Sequence, residues 1–245
     1  MSNRISRLAI IPARGGSKGI PGKNLQLVGQ DTLVGRAIQS AKVAGIFDDI
    51  CVSTDSKEIA KHAEDSGVEV PFIRPKEIST DTSVGIEVIL HALDFYRNQG
   101  TIFDTVTLLQ PTSPFRTHKD VAEANRLFDN SQSQSLISVL EVSQFHPSTI
   151  YKSMDSSSME IHRQLEPMYE SFSTGSGTLR QNFPNLYWRN GAIYIFRADN
   201  LVKNSPLLRP PILGFTMNWI KSINIDTVRD LELARSLVAL ATSEE

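Results

Sequence analysis

The apolar residues of this 245-residue chain fall into short blocks whose spacing alternates between two periods. Residues 8–12 (LAIIP) form an unbroken apolar run ending in a glycine-rich turn, which predicts a buried first strand. Residues 32–44 follow, with Leu33, Ala37, Ile38, Ala41 and Ala44 at helical spacing. The same alternation predicts strands at 49–53, 68–72, 105–109 and 136–141, and helices at 57–66, 84–97 and 119–129. Strand and helix joined by short loops argue for an α/β fold with a mainly parallel sheet covered on both faces. The rhythm breaks across 144–184, a stretch rich in Ser, Thr, Met and His without a long periodic run. It reads as an inserted subdomain or arm. Beyond it, 191–196 (GAIYIF) and 220–225 predict two more strands. A last helix at 228–241 carries Val228, Leu231, Ala234, Leu237, Val238 and Ala241 on one face. One domain spanning 1–245 is expected, with 144–184 inserted in it.

Composition narrows the function. A content of 40% hydrophobic and 21% charged residues is that of an ordinary soluble globular protein. The net charge of -2 argues against a broad nucleic-acid-binding surface, though not against one local basic pocket. Cys51 is the only cysteine, which excludes an internal disulfide and suits a reducing compartment. No apolar run reaches the roughly 18–20 residues of a membrane span. The first residues carry too short an apolar stretch for a signal peptide. A cytoplasmic location is the resulting expectation.

In open α/β sheets, ligands bind beyond the carboxyl ends of the strands. Here those ends are followed by residues 14–24, 53–55 and 110–116. The first stretch belongs to IPARGGSKGIPGKN (11–24), with four glycines and the cations Arg14, Lys18 and Lys23. Glycine lets backbone N–H groups turn toward a ligand, and cations beside them suit a triphosphate. The P-loop pattern does not fit. It requires glycine where Ser17 stands and Ser or Thr where Asn24 stands. G-x-G-x-x-G is absent as well. The bland alternative is a flexible surface turn with solvated charges.

This loop resembles the signature of the acylneuraminate cytidylyltransferases, the CMP-sialic acid synthetases. Further matches follow in the family's order: Ser53-Thr54-Asp55, Arg74-Pro75, Asp81-Thr82, LLQPTSPFR (108–116), NGAIYI (190–195) and Ile225-Asp226-Thr227. The resemblance implies a Rossmann-like domain, CTP as donor, an acidic nine-carbon sugar as acceptor, Mg2+ dependence and a homodimer. The 144–184 stretch is the matching candidate for its dimerisation segment. The resemblance places Ala13, Arg14, Gly15, Ser17, Lys23 and Asn24 around the nucleotide's phosphates and ribose. Arg74, Thr82 and Ser83 match the cytosine-recognition region. Gln110 and Asn190 match the sugar site, where Arg180 is the candidate partner of the sugar carboxylate.

One departure concerns that carboxylate: the family often has arginine two residues before the NGAIYI asparagine, where this chain has Trp188, with Arg189 one place off. Another concerns the metal. The family usually presents two aspartates two residues apart, and here the pair is Asn224 and Asp226. Asp226 can ligate Mg2+ or cap the final helix, and Asn224 can offer an uncharged amide oxygen. Other readings stay open: Arg74 as a surface cation, Arg116 as a structural residue, Lys18 as a solvated one, His146 as structural or bordering the sugar. The five histidines show no zinc spacing. Rival functions are the same transfer onto legionaminic or pseudaminic acid, transfer of another nucleotide, or nucleotide binding without catalysis.

Overall fold

The computed structural model describes residues 4–80, 85–142, 150–154, 165–168 and 185–243. The chain divides into two compact units, Met1–Val139 with Arg189–Glu245, and Leu140–Trp188.

In chain order the strands are β1 Arg7–Pro12, β2 Leu27–Val28, β3 Asp31–Thr32, β4 Asp49–Ser53, β5 Thr105–Leu108, β6 Ser135–Glu141, β7 Tyr151–Ser153, β8 Leu165–Pro167, β9 Tyr187–Arg197 and β10 Ile212–Thr216. The helices are α1 Leu33–Ala44, α2 Lys57–Asp65, α3 Gly85–Asn98, α4 His118–Asp129 and α5 Val228–Ser243. Six strands form the main sheet in the order β10-β6-β9-β5-β1-β4. Strand β1 runs parallel to both β4 and β5, and β10 runs parallel to β6. Strand β9 runs antiparallel to β5, pairing Thr105 with Arg197 and Leu108 with Tyr194. The expected mainly parallel α/β sheet is therefore present, with one antiparallel strand inside it.

The period-two character of β1 explains the two helical layers. Ala9 and Ile11 point to one face, where they pack in a cluster with Ala37, Ile38 and Ala41 of α1, Ile59 and Ala63 of α2, and Val121, Ala124 and Phe128 of α4. Leu8 and Ile10 point to the other face and meet Ile89, Ala92, Leu93 and Tyr96 of α3. A third cluster joins Leu231 and Ala234 of α5 to Ile20, Val28, Phe115 and Ile225. This cluster pulls the final helix onto the glycine-rich loop.

Local signals set the helix ends. The Thr32 hydroxyl accepts from Gly35 N–H at 3.0 Å and starts α1, which stops where Gly45 takes a φ of +63°. Thr117 and Asp120 form a reciprocal capping box at the start of α4.

Two predicted strands are absent, for different reasons. Residues 68–72 make no ladder: Val68 N–H turns back to Ala63 O, Pro71 has no N–H to give, and one bridge, Thr54 to Ile73, marks the sheet edge. Residues 220–225 fold as turns, with Ser222 N–H on Asn218 O and Ile223 N–H on Ile220 O. Their apolar side chains Ile220 and Ile225 are buried against α5 rather than in the sheet. The edge strand β10, just after Pro210 and Pro211, was not expected.

The second unit holds the antiparallel pair β7 and β8, with Tyr151 opposite Pro167 and Ser153 opposite Leu165. Lys152 and Glu166 form an exposed ion pair across it at 3.1 Å. Most of the 144–184 stretch lies outside the described residues. Cys51 is a buried free thiol in β4.

Phe128 is fully buried between α4 and the sheet, with the Arg197 guanidinium 4.4 Å above its ring centre. Phe128→Ala should therefore cost about 3–5 kcal/mol of stability, read from urea unfolding. A loss below about 1 kcal/mol would show that this cluster is not the core of the unit.

Candidate active site

A cleft of about 430 Å3 opens beyond the last residues of β1 and β5, Pro12 and Leu108. Five separate stretches of the chain line it. The glycine-rich loop gives Arg14, Ser17, Lys23 and Asn24, and Arg74 comes from the segment after α2. Gly85 and Val88 come from α3, Gln110 and Thr112 from the turn after β5, and Asn224 and Asp226 from the segment before α5. A parallel sheet brings such distant segments to one edge because its strands end on the same side.

The loop is tied down at three points. Gly15 N–H donates to the Asp55 carboxylate at 2.8 Å, just past β4. The Asn24 amide donates to Arg14 O at 2.8 Å, so the loop closes on itself. Gly22, at φ +59°, starts the short turn Lys23–Leu25 that sends Lys23 toward the cleft. Gly19 lies against the segment before α5, and a methyl there would sit 2.7 Å from Asp226 O. Ala13 contributes little: its methyl is in the core and its N–H is bound to Ser53 O at 2.9 Å. Lys18 is exposed and does not line the cleft.

Arg74 is not a surface cation. It is buried at the cleft wall, with its N–H on Thr54 O at 2.7 Å and its Nε on the Ser79 hydroxyl at 3.0 Å. Burial pushes the guanidinium below its ordinary value; Asp55 opposes this and Arg14 adds to it. Behind it, the α3 residue His91 meets Phe72 edge-on at 4.5 Å and is pushed down by burial and by Arg74. Thr82, Ser83 and Arg180 lie outside the described residues, as do His146 and His162.

Gln110 lines the cleft, and its side-chain oxygen would stand 3.2 Å from a methyl at Gly191, where φ is +82°. Asn190, expected at the sugar, is instead an internal hub and only 2% exposed. Its oxygen accepts from the Ser138 hydroxyl at 2.5 Å and from Ala192 N–H at 3.2 Å, and its amide donates to the Ser222 hydroxyl at 2.8 Å. Arg116 is likewise structural. It donates to Gln110 O at 3.0 Å and Ala192 O at 2.8 Å, locking the turn after β5 to β9. Burial brings its pKa down to about 10, opposed by Asp120. Arg189 lies 5.9 Å from the ring centre of Tyr194.

The segment before α5 shows that the Asp226 side chain is not the cap of that helix. Thr227 caps the helix: its N–H and hydroxyl donate to the Asp230 carboxylate at 2.7 and 2.9 Å, and Asp230 N–H returns to the Thr227 hydroxyl at 3.3 Å. Burial would raise the Asp230 pKa, but the hydrogen bonds from Thr227 and Asp226 hold it below the usual carboxylate range. The Asp226 carboxylate is thus spared for the cleft. Its Oδ1 meets Lys23 Nζ at 3.3 Å, and its Oδ2 accepts from the Asn224 amide at 2.6 Å. Lys23 also donates to Ile225 O at 2.9 Å. Asn224 Oδ1 is buried with no hydrogen-bond partner among the described residues. No three His, Cys, Asp or Glu side chains gather as a metal site among the described residues.

The lining residues Ile78, Thr80, Gly85, Val88, Pro111 and Thr112 were not singled out from the sequence. Only Pro111 and Thr112 lie in a segment that drew notice, the run 110–116. From this division of labour, Asp230→Ala should cost about 1 kcal/mol of stability, whereas Asp226→Ala should stay within about 0.5 kcal/mol. Thermal unfolding of both variants checks this, and equal losses would contradict the assignment of the cap.

Known proteins resemble this chain in sequence and in fold. A family described as Cytidylyltransferase matches residues 8–245. The CMP-N,N'-diacetyllegionaminic acid synthase of Legionella pneumophila is 35% identical over 95% of this chain and 96% of its own length. The N-acylneuraminate cytidylyltransferase of Escherichia coli is 32% identical over 94% of this chain, which spans 52% of that longer protein. The pseudaminic acid cytidylyltransferase of Campylobacter jejuni is 29% identical over 95% of this chain and 96% of its own. In fold, the chain is similar to a CMP:2-keto-3-deoxy-manno-octonic acid synthetase solved with CTP, at a TM-score of 0.68 and 18% identity over 96% of this chain and 99% of that one. No helix among the described residues is long and apolar enough to cross a membrane. With nearly its whole length matched by one family and by relatives at up to 35% identity, the chain belongs to the cytidylyltransferases and is a nucleotidyltransferase.

Proposed function

We propose that this enzyme transfers CMP from CTP to a sialic-acid-like nonulosonic acid, releasing pyrophosphate. The observation that carries this reading is the convergence of Arg14, Lys23, Arg74, Gln110 and Asp226 on one cleft at the strand ends. The relatives named for legionaminic, neuraminic and pseudaminic acids support that class of acceptor. In the reaction, the anomeric hydroxyl attacks the α-phosphate and the bond to pyrophosphate breaks. Positioning and charge stabilisation dominate such transfers. Arg14 and Lys23 hold the triphosphate, Arg74 reads the cytosine edge, and Gln110 bonds the sugar. Either Arg180 or Arg189 meets the sugar carboxylate.

Asp226 suits Mg2+, since its carboxylate is 68% exposed and is not used as a helix cap. Mg2+ is commonly held by one or two carboxylates together with substrate phosphates. Bound there, it would neutralise charge developing on the phosphates. Asp226→Asn should lower turnover by about 10²-fold or more while CTP binding stays measurable. An active Asp226→Asn enzyme with unchanged Mg2+ dependence would end this assignment.

The overall reading is tested by pyrophosphate release from CTP and Mg2+ with N-acetylneuraminate, a legionaminic acid and a pseudaminic acid in turn. Release with none of them overturns it. Arg14→Ala should lower kcat/KM by about 10²–10³-fold, and a correctly folded variant at wild-type kcat/KM would remove Arg14 from the mechanism.

We also propose a homodimer. The second unit leaves Tyr151, Met154, Leu165, Met168, Tyr187 and Trp188 exposed, a concentration of large apolar side chains that suits an interface. Light scattering should give twice the mass of one chain, and a monomer at all concentrations would refute it. The location expected is the cytoplasm.

A further inference from the structure

Both oxygens of the Asp226 carboxylate are already engaged by donors. Lys23 Nζ stands 3.3 Å from Oδ1 and the Asn224 amide 2.6 Å from Oδ2. These two contacts differ in kind. Asp226 is 68% exposed, whereas the Lys23 side chain is only 16% exposed and is fixed by a second bond, 2.9 Å to Ile225 O. Ile225 itself is anchored, its N–H on Thr112 O at 2.8 Å. The ammonium is therefore held beside the carboxylate rather than sampling it from solvent.

Asn224 presents its donor, not its acceptor. Its Oδ1 is turned inward and buried without a partner among the described residues. An amide in that pose cannot share a cation with Asp226, because a cation repels the N–H groups facing it.

We propose that Lys23 and Asn224 form a latch on Asp226, so that a divalent cation binds there only after a triphosphate has drawn Lys23 away. This inference rests on the nucleotide and metal assignments above and adds an order to them. A cation arriving alone meets a carboxylate whose charge Lys23 already balances. A triphosphate offers Lys23 a stronger anionic partner, since it lines the same cleft. Once Lys23 turns to the phosphates, the Asp226 charge is no longer balanced by the ammonium, while the phosphates supply further oxygen ligands. The two ligands then help each other, as linkage requires. Asn224 serves as a positioning residue that keeps Oδ2 in place.

The test needs neither turnover nor nucleotide. Mn2+ binding to the free protein is titrated by electron paramagnetic resonance for wild type, Lys23→Met, Lys23→Arg, Asn224→Ala and the double variant Lys23→Met with Asp226→Asn. Thermal unfolding checks that each is folded. Wild type should bind Mn2+ weakly. Lys23→Met should tighten binding about tenfold, Lys23→Arg should not, and the double variant should lose the gain. Asn224→Ala should bind Mn2+ at least as well as wild type. Unchanged affinity in Lys23→Met, or weaker binding in Asn224→Ala, overturns the latch. Should Lys23→Met fail to fold, the Asn224→Ala result still decides, because a ligand role demands a loss there. Pyrophosphate release by the wild-type enzyme is a separate readout, so failure of the latch and failure of the proposed reaction are told apart.

Discussion

The cleft depends on the close approach of two backbones, the loop after β1 at Gly19 and the segment before α5 at Asp226. A methyl at Gly19 would stand 2.7 Å from Asp226 O, nearer than carbon and oxygen can pack. This approach brings Lys23 within reach of Ile225 O and the Asp226 carboxylate, residues about 200 positions later in the chain. The burial of Ile20 and Val28 with Ile225, Leu231 and Ala234 keeps the two backbones together. Apolar packing beneath the loop thus sets the position of the charges above it, and neither the cations nor the carboxylate needs to hold the fold.

A buried polar layer does the same for the opposite wall. Arg116 reaches Gln110 O and Ala192 O, and Asn190 joins Ser138, Ala192 and Ser222. Burying a guanidinium is costly unless its donors are used, and here they bind one carbonyl in the turn after β5 and one within β9. Its pKa, brought down to about 10, still leaves Arg116 charged at neutral pH. That fixed charge lies directly behind the Gln110 turn, so it orients the turn and adds to the positive potential of the cleft. Removing it would leave the Gln110 and Ala192 carbonyls without this donor, which is why a residue that does not line the cleft can still govern its wall.

Strand and helix period were legible in the sequence wherever one segment faces one environment, as in β1, α1 and α4. The reading failed where burial came from elsewhere. Residues 220–225 look like a strand because Ile220 and Ile225 are both buried, yet α5 buries them while the backbone turns. Residues 68–72 are apolar enough for a strand, but Pro71 and the Val68 bond to Ala63 deny them a ladder. In the site, Arg14, Ser17, Lys23, Asn24, Arg74, Gln110, Asn224 and Asp226 do meet at one cleft. The misplacement of Asn190 has a simple cause: a motif shows which residues recur together, not whether a polar side chain points to a ligand or to its neighbours. Likewise, no spacing rule distinguishes a cap at Asp226 from one at Thr227, because an aspartate and a threonine both precede α5; only the bonds to Asp230 separate them.

Charge distribution links these features to function. The chain as a whole carries a net charge of -2, yet its cleft gathers Arg14, Lys23 and Arg74 around Asp226, the one carboxylate that lines it among the described residues. Such a surplus of cations favours a polyanion and disfavours a lone metal ion. A cleft with two free carboxylates would invert that preference and hold a cation before any nucleotide arrived. With Asn224 in place of a second acid, the proposed Mg2+ would take most of its oxygen ligands from the phosphates. On the proposed reading, the same amide that thins the protein's own metal site would tie the metal to the substrate, so that the cation is present when there are phosphates for it to act on.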